Sequence, residues 1–219
     1  MSDLWAQRWR KTYARGEVVV RYADDFVVGF EHRQDAERFL AELRERFNRF
    51  GLELHPDKTR LIEFGRFADR DRRARGDGKP ETFNVLGFTH SCGKTRRGKF
   101  TVLRQTVRQR WQAKLKAVKV ELRRRLHEPL SAVGAYLGSV VRGHVRYYGV
   151  PMNGPSIVAF RQAIGRLWMW ALRRRSQSHH LPWERMRRYI DRWLPPARIC
   201  HPYPLVRLGV VTQGKSRMR

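Results

Sequence analysis

Residues 18–28 read Val-Val-Val-Arg-Tyr-Ala-Asp-Asp-Phe-Val-Val, so that two adjacent carboxylates stand between two apolar runs. Successive side chains of a regular strand point to opposite faces, whereas a tight turn can bring Asp24 and Asp25 to one side. Carboxylate oxygens are hard ligands suited to Mg²⁺. An ordinary solvated turn is the alternative, because Asp is common in turns. The pattern predicts an antiparallel pair, Glu17–Tyr22 and Phe26–Phe30, with a metal-binding tip.

The charge of the chain is strongly one-sided. Among 219 residues, Lys and Arg total 47 and Asp and Glu total 20, which gives a formal net charge of +27. A folded protein with this charge repels itself unless it meets a polyanion. Nucleic acid is the expected partner, since phosphate neutralisation releases condensed counterions. An anionic membrane surface is the weaker alternative, because the sequence contains no clear basic amphipathic anchor.

The lack of a recognisable targeting segment and the spacing of the two cysteines predict a cytoplasmic protein. No apolar run is long enough for a membrane span, and Met1–Lys11 lacks the apolar stretch of a signal peptide. Cys92 and Cys200 are therefore expected to be free thiols. A zinc site formed by Cys200, His201 and the pair at 179–180 is a minor alternative, because paired-ligand spacing is missing.

The first half of the chain predicts mixed secondary structure. Apolar residues at three- and four-residue steps indicate a helix over Asp35–Phe50. Arg66–Pro80 lacks apolar periodicity and is predicted to be a charged loop. Further strands are expected at Leu52–Leu54, Leu61–Phe64, Phe83–Thr89 and Lys99–Leu103.

The composition changes near Arg104, and the rest of the chain predicts four helices separated at Pro129, at Pro151–Pro155 and before Pro182. Their tryptophans are expected mainly in the core. In the first helix an apolar stripe beginning at Trp111 is surrounded by bases, which favours contact with a polyanion over a merely solvated face. The predicted nucleic-acid-binding residues of the first two helices are Arg108, Arg110, Lys114, Lys116, Lys119, Arg123, Arg124, Arg142 and Arg146.

Several ordered motifs resemble the C-terminal half of the group II intron reverse transcriptase and maturase family. Tyr22-Ala23-Asp24-Asp25 is similar to the catalytic turn of the family's palm, and Leu86-Gly87-Phe88 to its primer-grip hairpin. The remaining similar segments are Leu52–Thr59, Arg142-Gly143-His144, Tyr147-Tyr148-Gly149 and His201-Pro202-Tyr203-Pro204.

This resemblance implies an α+β fold in which a partial polymerase palm precedes a helical thumb or maturase region. It implies that Asp24, supported by Asp25, binds catalytic Mg²⁺, and that Tyr22 packs beside the primer end. Lys58 would place a cation near the leaving pyrophosphate, although a plain surface lysine is an equal alternative. Gly87 would permit a backbone bend at the primer grip. The implied partners are structured intron RNA and a template–primer duplex.

The sequence also departs from the family pattern. Family members begin with a fingers region and a first palm strand carrying another metal-binding Asp, whereas only sixteen residues precede Glu17 here. We therefore expect no polymerisation by this chain alone, and an N-terminal partner fragment or self-association through a strand edge. A non-catalytic splicing factor that binds intron RNA and an inert remnant are the alternatives. The expected organisation is a basic segment 1–16, a partial palm 17–104, a helical domain 105–195 and a basic tail 196–219.

Overall fold

The computed structural model describes residues 18–22, 25–175 and 181–203. The chain divides into two compact units between Glu63 and Phe64, inside the range predicted as the partial palm. The first unit contains the antiparallel strands β1 (Val18–Tyr22) and β2 (Asp25–Gly29). The hairpin expected around the two acids is therefore present.

In the described part of the first unit, helix α1 spans Arg33–Asn48, which confirms the helix predicted from the apolar periodicity. Its buried Phe39 and Leu43 form a small core with residues from β2, from the end of α1 and from the chain on either side of the helix: Val28, Phe30, Phe47 and Leu54. Each short segment by itself buries little apolar surface. The side chains of this cluster therefore provide the hydrophobic packing of the unit.

Two short strands predicted after α1 are wrong. Leu52–Leu54 and Leu61–Phe64 are irregular. The backbone N–H of Leu52 donates to the carbonyl oxygen of Phe47 at 3.0 Å, so the chain leaves α1 through a tight turn. Leu54 then reaches the core as part of irregular backbone. Leu54, Ile62 and Phe64 are half-buried, whereas Leu52 and Leu61 are exposed, so the apolar residues of these segments do not mark paired strands.

The predicted charged loop 66–80 is also partly wrong, because α2 spans Ala68–Ala74. Ala68 is its buried residue, and Asp69 pairs with Arg73 across one turn at 3.2 Å. Such i,i+4 pairs support a short helix without an apolar stripe. The periodicity on which the prediction relied is therefore missing from this helix.

Strands β3 (Phe83–Val85), β4 (Phe88–Lys94) and β5 (Phe100–Thr106) form an antiparallel sheet in that order. The single strand predicted over Phe83–Thr89 is wrong, since residues 86 and 87 form the turn between β3 and β4. The predicted partner strand is confirmed and is longer at its C-terminal end.

The described part of the second unit continues with four helices: α3 (Arg108–Arg124), α4 (Leu130–Tyr148), α5 (Gly154–Arg173) and α6 (Trp183–Trp193). All four were predicted. Their core surrounds the fully buried Trp168, Phe160 and Leu137. Trp183 corrects one expectation, because it is 41% exposed. The α+β class with a helical second half is confirmed.

None of the helices in the described ranges is long and apolar enough to cross a membrane. Cys92 and Cys200 are both free thiols, as predicted. The basic segment 1–16, the histidines at 179–180 and the end of the basic tail lie outside the described residues.

Candidate functional site

The tip of the β1–β2 hairpin carries the residues on which the metal prediction depends. Tyr22 pairs with Asp25 across the hairpin, so only two residues connect the strands. Directly opposed residues of an antiparallel pair project to the same face. Tyr22 is 65% exposed and Asp25 is also exposed. An aromatic ring and a carboxylate are thus presented together at an accessible point.

The ligands expected for Mg²⁺ can be compared with this hairpin. Asp25 supplies hard oxygen donors and has no ion pair within the described residues. Asp24, the predicted direct ligand, lies outside those residues. Across 18–22, 25–175 and 181–203, no group of three His, Cys, Asp or Glu side chains could hold a metal ion. The donor type fits Mg²⁺, and the described part of the chain supplies one carboxylate of the predicted pair.

Lys58 belongs to the same unit as the hairpin. The backbone N–H groups of Lys58 and Thr59 donate to the carbonyl oxygen of His55 at 3.2 and 3.0 Å, which closes a turn around Pro56. The Lys58 side chain is exposed. A lysine ammonium in this position is available to an anionic ligand, and its predicted role at the leaving pyrophosphate stays a prediction.

The predicted primer-grip residues form a two-residue β-turn. Leu86 and Gly87 connect the paired residues Val85 and Phe88, with φ values of 51° and 79°. Two central residues with positive φ are typical of a type I′ turn, which prefers Asn-Gly. Leucine is unfavourable in this region, because its Cβ crowds the backbone. The turn therefore holds an apolar side chain in a strained conformation.

This turn packs against the end of α4. The Tyr147 hydroxyl donates to the carbonyl oxygen of Leu86 at 2.9 Å, and Phe88 stacks on Tyr147 with ring centroids 6.0 Å apart. A Cβ atom at position 87 would lie 3.1 Å from both the Arg110 guanidinium and the Tyr148 hydroxyl. Two motifs that are distant in the sequence, Leu86-Gly87-Phe88 and Tyr147-Tyr148, thus form one structural element.

A third motif joins them. The backbone N–H groups of Cys200 and His201 donate to the carbonyl oxygen of Gly149 at 2.8 and 3.0 Å. The His201 ring N–H donates to the carbonyl oxygen of Arg146 at 2.6 Å. The segment beginning at His201 is therefore fixed on the end of α4, beside the tyrosines that hold the turn.

Sequence reasoning missed Asn153, which positions this whole arrangement. Its side chain is fully buried, accepts from the Thr106 N–H at 3.0 Å, and donates to the Thr106 hydroxyl and the Tyr148 carbonyl oxygen, each at 2.9 Å. Strand β5 is thereby joined to the end of α4. A single polar residue in a helix break carries no periodic signal, so the sequence did not reveal this role.

The cationic surface predicted on the first two helices is accessible. Val118 and Leu122 are buried on the inner side of α3, whereas all the predicted basic residues are exposed. Within the described part of the chain only one of them, Arg124, has an ion pair, a 3.8 Å contact with Glu121. The cations are thus not neutralised by the protein itself, as a surface for a polyanion requires.

Three cations converge on one indole that sequence analysis did not single out. Lys119 and Arg123 from α3 and Arg174 after α5 lie 5.1, 5.6 and 5.0 Å from the centroid of Trp170. Cation–π attraction holds them against the ring. The groups come from distant segments, so no local pattern could have shown that they meet.

Part of the chain matches a known protein family. Residues 1–90 match the family described as reverse transcriptase (RNA-dependent DNA polymerase). The matched range contains both acids of the hairpin, Lys58 and the Leu86–Phe88 turn, and it ends before the helices that begin at Arg108. No curated protein matches the chain.

Proposed function

We propose that this chain is the palm-and-thumb part of a group II intron type reverse transcriptase, and that it binds template–primer and structured intron RNA. The reverse transcriptase match over residues 1–90 carries the proposal, because it spans the sequence of both predicted acids and the exposed Tyr22 and Asp25 of the hairpin. The finer assignment to the intron family is supported by the helical motifs, which pack together around Tyr147 and Gly149.

Asp24 and Asp25 are the residues that would hold Mg²⁺. When bound, Mg²⁺ supplies electrostatic stabilisation of the attacking and leaving oxygens in phosphoryl transfer. Tyr22, beside Asp25, offers an exposed ring against which a terminal nucleotide can stack. The Lys58 ammonium can neutralise developing phosphate charge.

The helical surface would hold the nucleic acid. An A-form duplex is recognised mainly by its shape, phosphates and 2′-hydroxyls, and the exposed bases of α3 need no base-specific geometry for such contacts. The turn at Leu86 and Gly87 is fixed to α4 through Tyr147. It can therefore present its backbone and the Leu86 side chain to a primer strand without first becoming ordered.

A non-catalytic role in binding intron RNA is the second candidate. The observation that favours it is the position of the cationic helices, which follow the matched range and require no metal ligand. In that case the surface would stabilise folded RNA, and the acids of the hairpin would have no chemical task.

Localised cleavage by iron distinguishes the two candidates without requiring polymerisation. Fe²⁺ replaces Mg²⁺ at a carboxylate site and, with peroxide, generates radicals that cut nearby nucleic acid. We expect cuts close to the primer 3′ end with the full chain, and loss of these cuts in the Asp24→Asn, Asp25→Asn double variant. Asp57→Asn, another exposed acid of the same unit, should leave them in place.

The binding affinity measured in the same samples separates the outcomes. Template–primer affinity unchanged in the double variant, together with lost cuts, supports a metal site at the hairpin. Tight RNA binding with cuts that are absent or spread along the primer in the unsubstituted chain favours the non-catalytic role. Primer extension with Mg²⁺ then measures whether the chain polymerises on its own.

A further inference from the structure

Helix α6 presents a second basic surface that sequence analysis did not assign to nucleic acid. Its inner side buries Met186 and Ile190, which are 0% and 6% exposed. Arg185, Arg188 and Arg192 are exposed. We name these three arginines the α6 stripe.

The α6 stripe lies along one side of the helix. Positions three and four residues apart are neighbours on a helix surface, and these three fall within about 60° around the axis. None of them forms an ion pair within the described residues. Asp191, an acid on the same helix, is engaged by Arg161 at 3.1 Å. The stripe is therefore a row of guanidinium groups open to an external anion.

Helix α6 is held firmly enough to present the stripe in one orientation. Arg161 also donates to the carbonyl oxygens of Pro195 at 3.0 Å and Leu194 at 3.3 Å, which satisfies acceptors at the helix end. Trp193 packs directly on Gly134 of α4. A surface ordered before binding loses less conformational freedom when a ligand arrives.

The α6 stripe and the basic surface of α3 belong to opposite sides of α5. Arg161, Gly165 and Trp168 contact α6 or the residues that follow it, and they lie within about 60° of one another around α5. Trp170, which contacts Lys119 and Arg123 of α3, lies about 180° from Arg161. Two cationic helices thus flank a shared core helix.

We propose that the α6 stripe binds the phosphate backbone of a second RNA segment, so that the helical region bridges two segments of folded RNA. The proposal rests on the proposed nucleic-acid binding by α3 and extends it to a second surface. Guanidinium groups match phosphate oxygens with paired, planar donors. Two separated cationic surfaces on one rigid unit suit two helices of a folded RNA better than one short duplex.

An anionic membrane surface is the alternative ligand for the α6 stripe, and the packing of α6 argues against it. A helix that lies in a membrane interface buries apolar side chains among the lipids. The apolar side of α6 already lies in the protein core, leaving only Trp183 as a large exposed apolar side chain on this helix. Helix α6 can therefore contact phosphate groups but has no apolar face left to insert among lipids.

A bridging assay tests the proposal with the full chain. One RNA hairpin is immobilised, and capture of a second, fluorescent RNA hairpin is measured at a protein concentration where light scattering shows monomers. We expect the amount of captured RNA to fall at least about ten-fold in the Arg185→Gln, Arg188→Gln, Arg192→Gln variant. Its affinity for a single hairpin should fall much less, with the slope of log affinity against log salt reduced by at most about 3.

Three comparison variants make the result specific. Replacing the same arginines with Lys should restore capture. Lys94→Gln, Arg96→Gln, Arg97→Gln removes the same charge from the β4–β5 turn and should leave capture close to normal. Lys116→Gln, Lys119→Gln, Arg123→Gln on α3 should weaken binding to a single hairpin. Circular dichroism melting checks that each variant is folded.

The outcomes separate this proposal from the proposed function. Unchanged capture in the α6 variant, or an equal loss in the β4–β5 variant, would overturn the second surface. Unchanged single-hairpin affinity in the α3 variant would instead count against the function proposed for α3. Binding to phosphatidylserine vesicles that is lost in the α6 variant, with RNA capture intact, would assign the stripe to lipid and overturn the proposal.

Discussion

The Tyr147 hydroxyl donates a 2.9 Å hydrogen bond to the carbonyl oxygen of Leu86, which lies 61 residues earlier in the chain. Tyr147→Phe removes this bond and keeps a ring that can stack on Phe88. We expect the free energy of unfolding to fall by about 1 kcal/mol, the net worth of one hydrogen bond. Urea denaturation measures the change. Tyr203→Phe is the control, because its exposed hydroxyl has no partner within the described residues, and an equal loss there would contradict the role of Tyr147.

Leu86 has a φ of 51°, which is unfavourable for a leucine. Leu86→Asn creates the Asn-Gly pair that type I′ turns prefer, and we expect it to raise the free energy of unfolding by about 0.5–1 kcal/mol. Leu52→Asn changes an exposed leucine at a position with ordinary φ and should give no gain. A loss of stability in the Leu86 variant greater than that in the Leu52 variant would refute the assigned strain.

Asn153 is fully buried and makes three hydrogen bonds to Thr106 and Tyr148. Asn153→Ala leaves the Thr106 N–H and the Tyr148 carbonyl oxygen without this partner, so we expect a loss of about 2–4 kcal/mol in unfolding free energy. Asn84→Ala is the matched control, since the exposed Asn84 accepts one bond from Thr89. Its cost should stay below about 1 kcal/mol. Chemical denaturation of both variants compares them, and similar costs would argue against Asn153 as the link between β5 and α4.

Alanine substitutions at two glycines of α4 are expected to change stability in opposite directions. A Cβ at Gly138 would lie 2.6 Å from the backbone oxygen of Trp193, whereas a Cβ at Gly143 meets no atom within 4 Å. Gly138→Ala must displace α6 and should cost about 1–3 kcal/mol. Gly143→Ala should raise stability by up to about 1 kcal/mol, because alanine favours a helix over glycine. Thermal melting of the pair provides the measurement, and a stabilising Gly138 variant would show that α6 does not pack so closely.

The buried His144 is expected to lower the free energy of unfolding in acid. Burial, with a smaller contribution from Lys114, lowers the pKa of His144 from its ordinary 6.5 to about 4. Between these values the unfolded chain binds a proton that the folded chain does not, so stability falls as the pH drops from about 6.5 to about 4. The slope contributed by this group approaches about 1.4 kcal/mol per pH unit.

His144→Leu should reduce the slope of unfolding free energy against pH in this range, whatever its effect on stability at pH 7. His90, whose pKa is also lowered mainly by burial, contributes in the same direction, so part of the slope should remain in the His144 variant. An unaltered slope in that variant would show that His144 stays accessible to protons.

The fold was predictable where one face of an element is apolar. The stripe around Val118 and Leu122 and the spacing of Phe39 and Leu43 predicted their helices, because burial of such a face defines the period. Helix α2 was missed, and the bend at residues 86 and 87 was expected only from the family resemblance. Local ion pairs stabilise the former, and the turn has Leu86 where type I′ turns prefer Asn, so neither carries a periodic apolar signal.

The sequence alone identified the acid-bearing hairpin, the cationic character of the helices and the short motifs, because these depend on residue type and close spacing. Only the tertiary structure showed that the Leu86 turn, the end of α4 and the segment at His201 pack together, and that Asn153 joins them to β5. It alone placed α3 and α6 on opposite sides of α5. The physical reason is that such contacts arise when buried surfaces of distant segments are packed together, and no local pattern records which segments will meet.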